Sequence, residues 1–411
     1  LEYSDEVQNL ADILAPPPAG CNPRWHNAMS ARTNGGEASM VLHSAASQTL
    51  MLESSVGAEI VLSGRRYVNF GGSAYLGLAS NPHIVAAGLS ALRRYGPGGP
   101  IPRGHAIGCG PLRDVEQSAC RFFASDAALY FGSGYHFGLA APAVLCAQYG
   151  AAFVDELAHF ALQDGIGAAG LRYRSFRHLD VEDLENQLRR HLGPGERPLV
   201  VTDGLYSTFG EIAPLDRLWQ VTAAYDGRLV VDESHAFGVL GTFGRGSLEY
   251  HGMPSDQALA GGSLAKGFGT CGGLVLGRGT EIQAMHLSPV VRGAAIGAPA
   301  TIAMCAASLD YVRSHPQLLT RLRDNTVYLK SALRRLGLTL QGDDIAPIAA
   351  FALDSSESTL RLHAALLAEG IHVYRSTYLG AGSNGVIRCA VFADHTREHL
   401  SALLDALRRL L

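Results

Sequence analysis

The chain has 411 residues, 47% of them hydrophobic and 17% charged, with a formal net charge of −4. That length supports a large core and two domains at the usual ~100–200 residues each, and the lack of a basic excess argues against nucleic acid or an anionic membrane surface as partner. Apolar runs are broken by glycine or charge well before the roughly 18 residues that a membrane span needs. Nothing at the start reads as a signal peptide. The seven cysteines, Cys21, Cys109, Cys120, Cys146, Cys271, Cys305 and Cys389, never fall at CxxC spacing, so reduced thiols in a cytoplasmic protein are expected.

Residues 1–56 read as an N-terminal arm. Asp5 to Leu14 suits a short amphipathic helix that Pro16, Pro17 and Pro18 would stop. The polar stretch from Cys21 to Gly36 fits either an arm packed on the body or a dimer-swapped arm or linker. From residue 57 to about 300 the pattern is that of a large α/β domain. Ala127–Phe131, Ala151–Val154, Leu199–Thr202, Leu229–Asp232 and Gly273–Leu276 are predicted as buried strands. Leu112–Phe123, Val181–His191 and Leu215–Tyr225 are predicted helices between them. Such alternation implies right-handed crossovers and a mostly parallel central sheet, with ligands outside the carboxyl ends of its strands. Residues 301–411 read as a smaller C-terminal α+β domain: helices over Thr301–Val312, His315–Leu336, Ser358–Glu369 and Arg397–Leu411, strands over Ile345–Phe351 and Val386–Val391.

Four short segments carry chemistry. Lys266 sits in Gly-Gly-Ser-Leu-Ala-Lys-Gly-Phe-Gly. Small and apolar neighbours leave its amine partly desolvated, which favours the neutral nucleophile that forms a Schiff base with an aldehyde. Alone, it is equally a lysine on a tight loop. Arg228-Leu-Val-Val-Asp232-Glu-Ser-His235 is a strand ending in a carboxylate. An aspartate there can keep a pyridine nitrogen protonated, which makes the ring an electron sink, with His235 in reach of a ring hydroxyl. Alone, Asp232 is equally a cap. Tyr130-Phe-Gly-Ser133-Gly134-Tyr135 leads a strand into a helix whose first N–H groups could hold a phosphate. In Asp155-Glu-Leu-Ala-His159 the histidine could lie on a cofactor ring or simply be packed.

Together these segments resemble the α-oxoamine synthases, a family of fold-type-I pyridoxal-phosphate (PLP) enzymes. The resemblance runs from about Tyr67 to Leu411. Its most specific stretches are Val231 to Gly246 and Gly262-Ser-Leu-Ala-Lys266-Gly-Phe-Gly, supported by Asp203-Gly-Leu-Tyr-Ser207 and by Arg388 seven residues before His395-Thr396. It implies that Lys266 carries the cofactor and moves protons at the substrate Cα. It implies that Asp232 pairs with the ring nitrogen, His235 touches the ring hydroxyl, His159 stacks on the ring and Ser207 lies near it. Ser133, Gly134, Tyr135 and Ser263 would serve the cofactor and its phosphate, and Arg388 would bind the amino-acid carboxylate. The implied reaction is decarboxylative condensation of an amino acid with an acyl thioester, on coenzyme A or an acyl-carrier protein, in a homodimer. Transamination or non-decarboxylative C–C bond formation on the same scaffold is the alternative.

The pocket departs from the family. Ser73 replaces an asparagine that helps hold the substrate carboxylate, and Leu112 replaces a histidine. The stretch after Arg292 lacks the Ser/Thr that reaches the neighbouring subunit's phosphate, and Ser376-Thr-Tyr-Leu-Gly-Ala-Gly-Ser383 lacks the customary proline. An unusual substrate pair from secondary metabolism is expected. The scarcity of basic clusters for a nucleotide phosphate favours a carrier protein. No metal is expected: there is no HExxH, and His395 and His399 read as one exposed helix face.

Overall fold

The strands predicted from apolar runs are buried along their whole length: Ala151–Asp155 (β4), Pro198–Asp203 (β6), Arg228–Asp232 (β7) and Gly273–Gly277 (β9). With Ala127–Phe131 (β3), Arg172–Phe176 (β5) and Ala258–Ser263 (β8) they form a seven-stranded sheet in the order β3-β9-β8-β7-β6-β4-β5. Every pairing from β8 through to β5 is parallel, and β9 runs antiparallel to both its neighbours. A strand covered by helices on both faces has no polar face to show, hence the continuous Val/Leu/Ala/Phe runs. The computed structural model describes residues 49–98, 103 and 108–411. Residues Leu52–Leu411 form one compact unit. The predicted Asp5–Leu14 helix and Cys21 lie outside the described residues.

Two strands of the large sheet escaped sequence reasoning, as did β strands at Glu59–Leu62, Arg65–Asn69, Ile371–His372 and Tyr374–Ser376 elsewhere. β5, Arg-Tyr-Arg-Ser-Phe, is an edge strand with four of its five residues exposed, so it has no apolar run. β8, Ala-Leu-Ala-Gly-Gly-Ser, lacks the β-branched and aromatic residues that mark a strand. Its glycines are dictated by packing. A Cβ on Gly261 would lie 2.4 Å from the Phe137 ring, and one on Gly262 would lie 2.5 Å from the Ser234 nitrogen. The helices Pro82–Tyr95, Phe160–Ala168 and Gly279–Leu287 were likewise not anticipated.

Two three-stranded sheets flank the large one. Glu59–Leu62 (β1), Arg65–Asn69 (β2) and Ile371–His372 (β11) make the first. Ile348–Phe351 (β10), Val386–Ala390 (β13) and Tyr374–Ser376 (β12) make the second, with β13 central. Arg388 therefore sits mid-strand, opposite Ala350 on one side and Tyr374 on the other. The reading of His395 needs correcting. The helix begins at Arg397 with Thr396 as its cap, so His395 precedes it. His395 is buried, stacked between Phe70 and Phe392, with Nε2 bonded to the Asn69 carbonyl at 2.9 Å.

Among the described residues the six cysteines are free thiols, no group of metal-ligating side chains forms, and no helix is long and apolar enough to cross a membrane.

Candidate active site

Parallel strands in register bring their last residues level. Asp203 ends β6 directly beside Asp232 at the end of β7, and β8 pairs Asp232 with Gly261 before delivering Lys266 three residues past its end. Asp232 Oδ1 accepts the Ser234 N–H at 2.8 Å. Its other oxygen takes no hydrogen bond from the described residues. Asp203 Oδ1 accepts the His159 N–H at 3.0 Å. Burial, and then the neighbouring Asp232 charge, push Asp203 well above the usual carboxylate range. Burial lowers the Lys266 ammonium below its ordinary value; Asp232 and Asp203 oppose this and Arg388 adds to it. The lysine is thus drawn toward the neutral amine inside a field set by two strand-end carboxylates.

His159 caps the helix Phe160–Ala168: its Nδ1 accepts the Ala161 N–H at 3.1 Å, which fixes the ring. Burial lowers its pKa, against the pull of Asp232. Across the pocket the helix Tyr135–Leu145 begins at Gly134, which has no side chain to satisfy the first N–H groups. Gly134 is required here by close approach, since a Cβ on it would stand 2.6 Å from Ser263 Cβ. Ser133 Oγ accepts the Tyr135 N–H at 3.3 Å, and Ser263 Oγ accepts the Ala265 N–H at 3.1 Å. A helix start of this kind attracts an anion.

The third wall is a relay that sequence reasoning missed. Arg388 donates from Nε to the Ser207 carbonyl at 2.6 Å, from Nη1 to the Gly72 carbonyl at 2.8 Å and from Nη2 to Tyr75 Oη at 3.4 Å. A guanidinium has five N–H groups, so one on each terminal nitrogen takes no partner among the described residues. That is the pair that grips a carboxylate. Tyr75 Oη lies 2.7 Å from His235 Nδ1. Because the phenol oxygen takes the Arg388 N–H, its own proton is best placed on Nδ1, which leaves Nε2 as the N–H. Burial, then the charges of Lys266 and Arg388, hold His235 well below its ordinary pKa, so the ring is neutral.

The structure gathers Lys266, Asp232, His159, His235, Ser207 and Arg388 around the carboxyl ends of β4, β6, β7 and β8. The Tyr135 phenol bonds Asp164, and its ring meets His159 edge-on at 6.1 Å and 73°. The Ser73 hydroxyl makes no hydrogen bond among the described residues; its carbonyl accepts the Tyr75 N–H at 2.8 Å. Asp203 was within reach of sequence reasoning, since it ends a buried apolar run just as Asp232 does.

A profile of the aminotransferase class I and II family matches residues 65–407. This chain belongs to that family, in its α-oxoamine synthase branch. It is 30% identical over 363 residues to 8-amino-7-oxononanoate synthase 1 of Bacillus velezensis, covering 88% of this chain and 92% of that protein. It is 32% identical over 365 residues to 8-amino-7-oxononanoate synthase of Cellvibrio japonicus, covering 88% and 90%. Among solved structures, serine palmitoyltransferase of Sphingomonas wittichii superposes with a TM-score of 0.85 at 25% identity, covering 91% of this chain and 95% of that one. The S. paucimobilis enzyme with a bound PLP–myriocin aldimine gives 0.84 at 27%, covering 91% and 95%. The α-oxoamine synthase fold, fold type I, is that expected from the sequence.

At the end of β4 a largely buried histidine meets two carboxylates. His178 Nδ1 is 2.9 Å from Asp155 Oδ1 and its Nε2 is 3.2 Å from Glu211 Oε2. Burial opposes the charge, but the two carboxylates outweigh it and raise the pKa to about 9. A folded pKa above the unfolded ~6.5 means stability fully present below pH ~6.5 and lost as pH rises through the folded value. Replacing His178 with Gln should cost about 2 kcal/mol near pH 6, after allowance for screening by solvent. The difference from wild type, read from denaturant melts, should shrink to near zero at alkaline pH. A pH-independent difference would refute the charged pair.

Proposed function

We propose that this chain is a PLP-dependent acyltransferase that condenses an amino acid with an acyl thioester, loses carbon dioxide and releases an α-amino ketone. One observation carries the reading: the amine of Lys266, its pKa lowered by burial, stands in the charge field of two strand-end carboxylates, one of which keeps an oxygen without a partner among the described residues. The residues present fit pyridoxal phosphate. Asp232 would hold the ring nitrogen through that spare oxygen, His235 Nε2–H would reach the ring hydroxyl, and His159 would cover a face. The helix start at Gly134, with Ser133 and Ser263 beside it, would take the phosphate, and Lys266 Nζ the aldehyde carbon. Bound there, the cofactor supplies an electron sink for the pair left at the amino acid's Cα.

The protein's own side chains do the rest. The two spare N–H groups of Arg388 orient the substrate carboxylate, as its hydrogen bonds to Ser207, Gly72 and Tyr75 hold the guanidinium still. Lys266 Nζ, its pKa lowered by burial, would take the proton from Cα. Orientation of this kind is worth several kcal/mol in general, about 7–11 in the best intramolecular cases. In this reading residues 57–300 hold the cofactor and 301–411 contribute Arg388, in a cytoplasmic homodimer. Ser73 and the 376–383 segment point to an unusual substrate pair, and a carrier-protein thioester suits the weak basic character.

Thiol release over a panel of amino acids, each with coenzyme A and carrier-protein thioesters, tests this. Expected is thiol and carbon dioxide released together, only when both substrates are present. Keto acid formed from amino acid alone, without thiol release, would replace condensation with transamination.

A further inference from the structure

One polar atom at the pocket has nothing to hold. The Tyr378 hydroxyl is buried without a hydrogen-bond partner among the described residues. Its surroundings fix it. The ring meets Phe160 edge-on at 5.4 Å and 78°, and Phe160 directly follows His159. The Tyr378 N–H donates to Ser376 Oγ at 3.3 Å, its carbonyl accepts the Ala381 N–H at 2.9 Å, and the Leu379 carbonyl accepts the Thr208 hydroxyl at 2.8 Å. Thr208 adjoins Ser207, the residue whose carbonyl anchors Arg388. The ring therefore packs on the His159–Phe160 turn while the adjoining Leu379 is tied to the Ser207–Thr208 turn, the two segments that border the proposed cofactor position. Burial, then the charges of Asp203 and Asp232, raise its pKa, so it stays protonated and serves as a donor. A buried hydroxyl without a partner is destabilising and rare, which marks this one as kept for a group that arrives.

The cofactor's phosphate and ring hydroxyl have partners in the Gly134 helix start and in His235, and two further acceptors arrive with the substrates. The carboxylate is met by Arg388. The other is the thioester carbonyl oxygen, neutral at first and gaining charge as the C–C bond forms, and a fixed neutral donor in a water-poor site suits it. We infer that the Tyr378 hydroxyl donates a hydrogen bond to the acyl carbonyl oxygen, and that Tyr378 and Phe160 together wall the acyl side of the pocket. This rests on the condensation reading above. The electron pair at Cα bonds to the acyl carbon, and the carbonyl π pair moves onto the oxygen held by Tyr378. The return of that pair expels the thiolate, which leaves as thiol with the proton that Lys266 Nζ took from Cα.

The test is Tyr378→Phe, which keeps the ring and its contact with Phe160. With the amino acid saturating, kcat/KM for the thioester should fall about 100-fold. Exchange of the amino acid's Cα proton for deuterium, followed by NMR without thioester, should be unchanged, as should the amino acid's KM. Wild-type rates of thiol release in the variant would overturn the assignment. So would a loss of Cα exchange or a raised amino-acid KM, which would place the hydroxyl on the carboxylate. If wild type itself releases no thiol with any substrate pair, the condensation reading fails and this assignment with it.

Discussion

Replacing Lys266 with alanine is expected to abolish turnover and the absorbance of the lysine-bound cofactor together. The amine has two tasks that no neighbour duplicates. In the proposed reaction it is the nucleophile for the aldehyde, its pKa lowered by burial, and the base that removes the Cα proton. Loss of a positioned acid–base group alone costs about 10²–10⁴-fold, and loss of the covalent anchor adds to that, so a fall beyond about 10⁴-fold is expected. The fold should survive, because Lys266 lies on a loop past β8 and removing a desolvated ammonium takes away an unfavourable burial. Absorbance spectra and thiol release, with circular dichroism as the control, measure this. A variant that kept its colour and its rate would remove the central assignment.

Replacing Asp232 with asparagine should leave the pocket filled and the reaction slow. Asparagine can still accept the Ser234 N–H at 2.8 Å, so the local turn should persist. It cannot hold a proton on the ring nitrogen, so the electron sink weakens while the cofactor still binds. Removing a preorganised electrostatic contact of this sort costs about 10²–10³-fold in kcat. The amino acid's KM, set by Arg388, should change little. Cα-proton exchange and thiol release should fall in parallel, since both pass through the same charge at Cα. An unchanged exchange rate would mean that the carboxylate acts elsewhere.

The two predictions draw on different parts of the molecule in how they could be foreseen. Lys266 and Asp232 were legible because each sits in a local pattern that physics makes unusual: an amine among glycines, and a carboxylate closing a fully apolar strand. The same pattern closes β6 with Asp203, yet its role depends on standing level with Asp232 in the sheet, a matter of register between strands 29 residues apart along the chain. Tyr75 was invisible for a similar reason. Its phenol gains meaning from Arg388, 313 residues away, and from His235, 160 residues away. His395 was misplaced because helical spacing cannot show that the helix starts two residues later, at Arg397.

Local order explains the rest of the division. Chain order and apolar periodicity were enough for the α/β class and the mostly parallel sheet, because each depends on neighbours within one element, while Lys266 and Asp232 were singled out by local pattern together with the resemblance to the α-oxoamine synthases. Which oxygen of Asp232 is spare, which way the Arg388 fork faces, and that the Tyr378 hydroxyl is left unpaired come from packing. Those facts arise where segments far apart in sequence meet, and a hydrogen bond across such a meeting leaves no periodic mark on either segment.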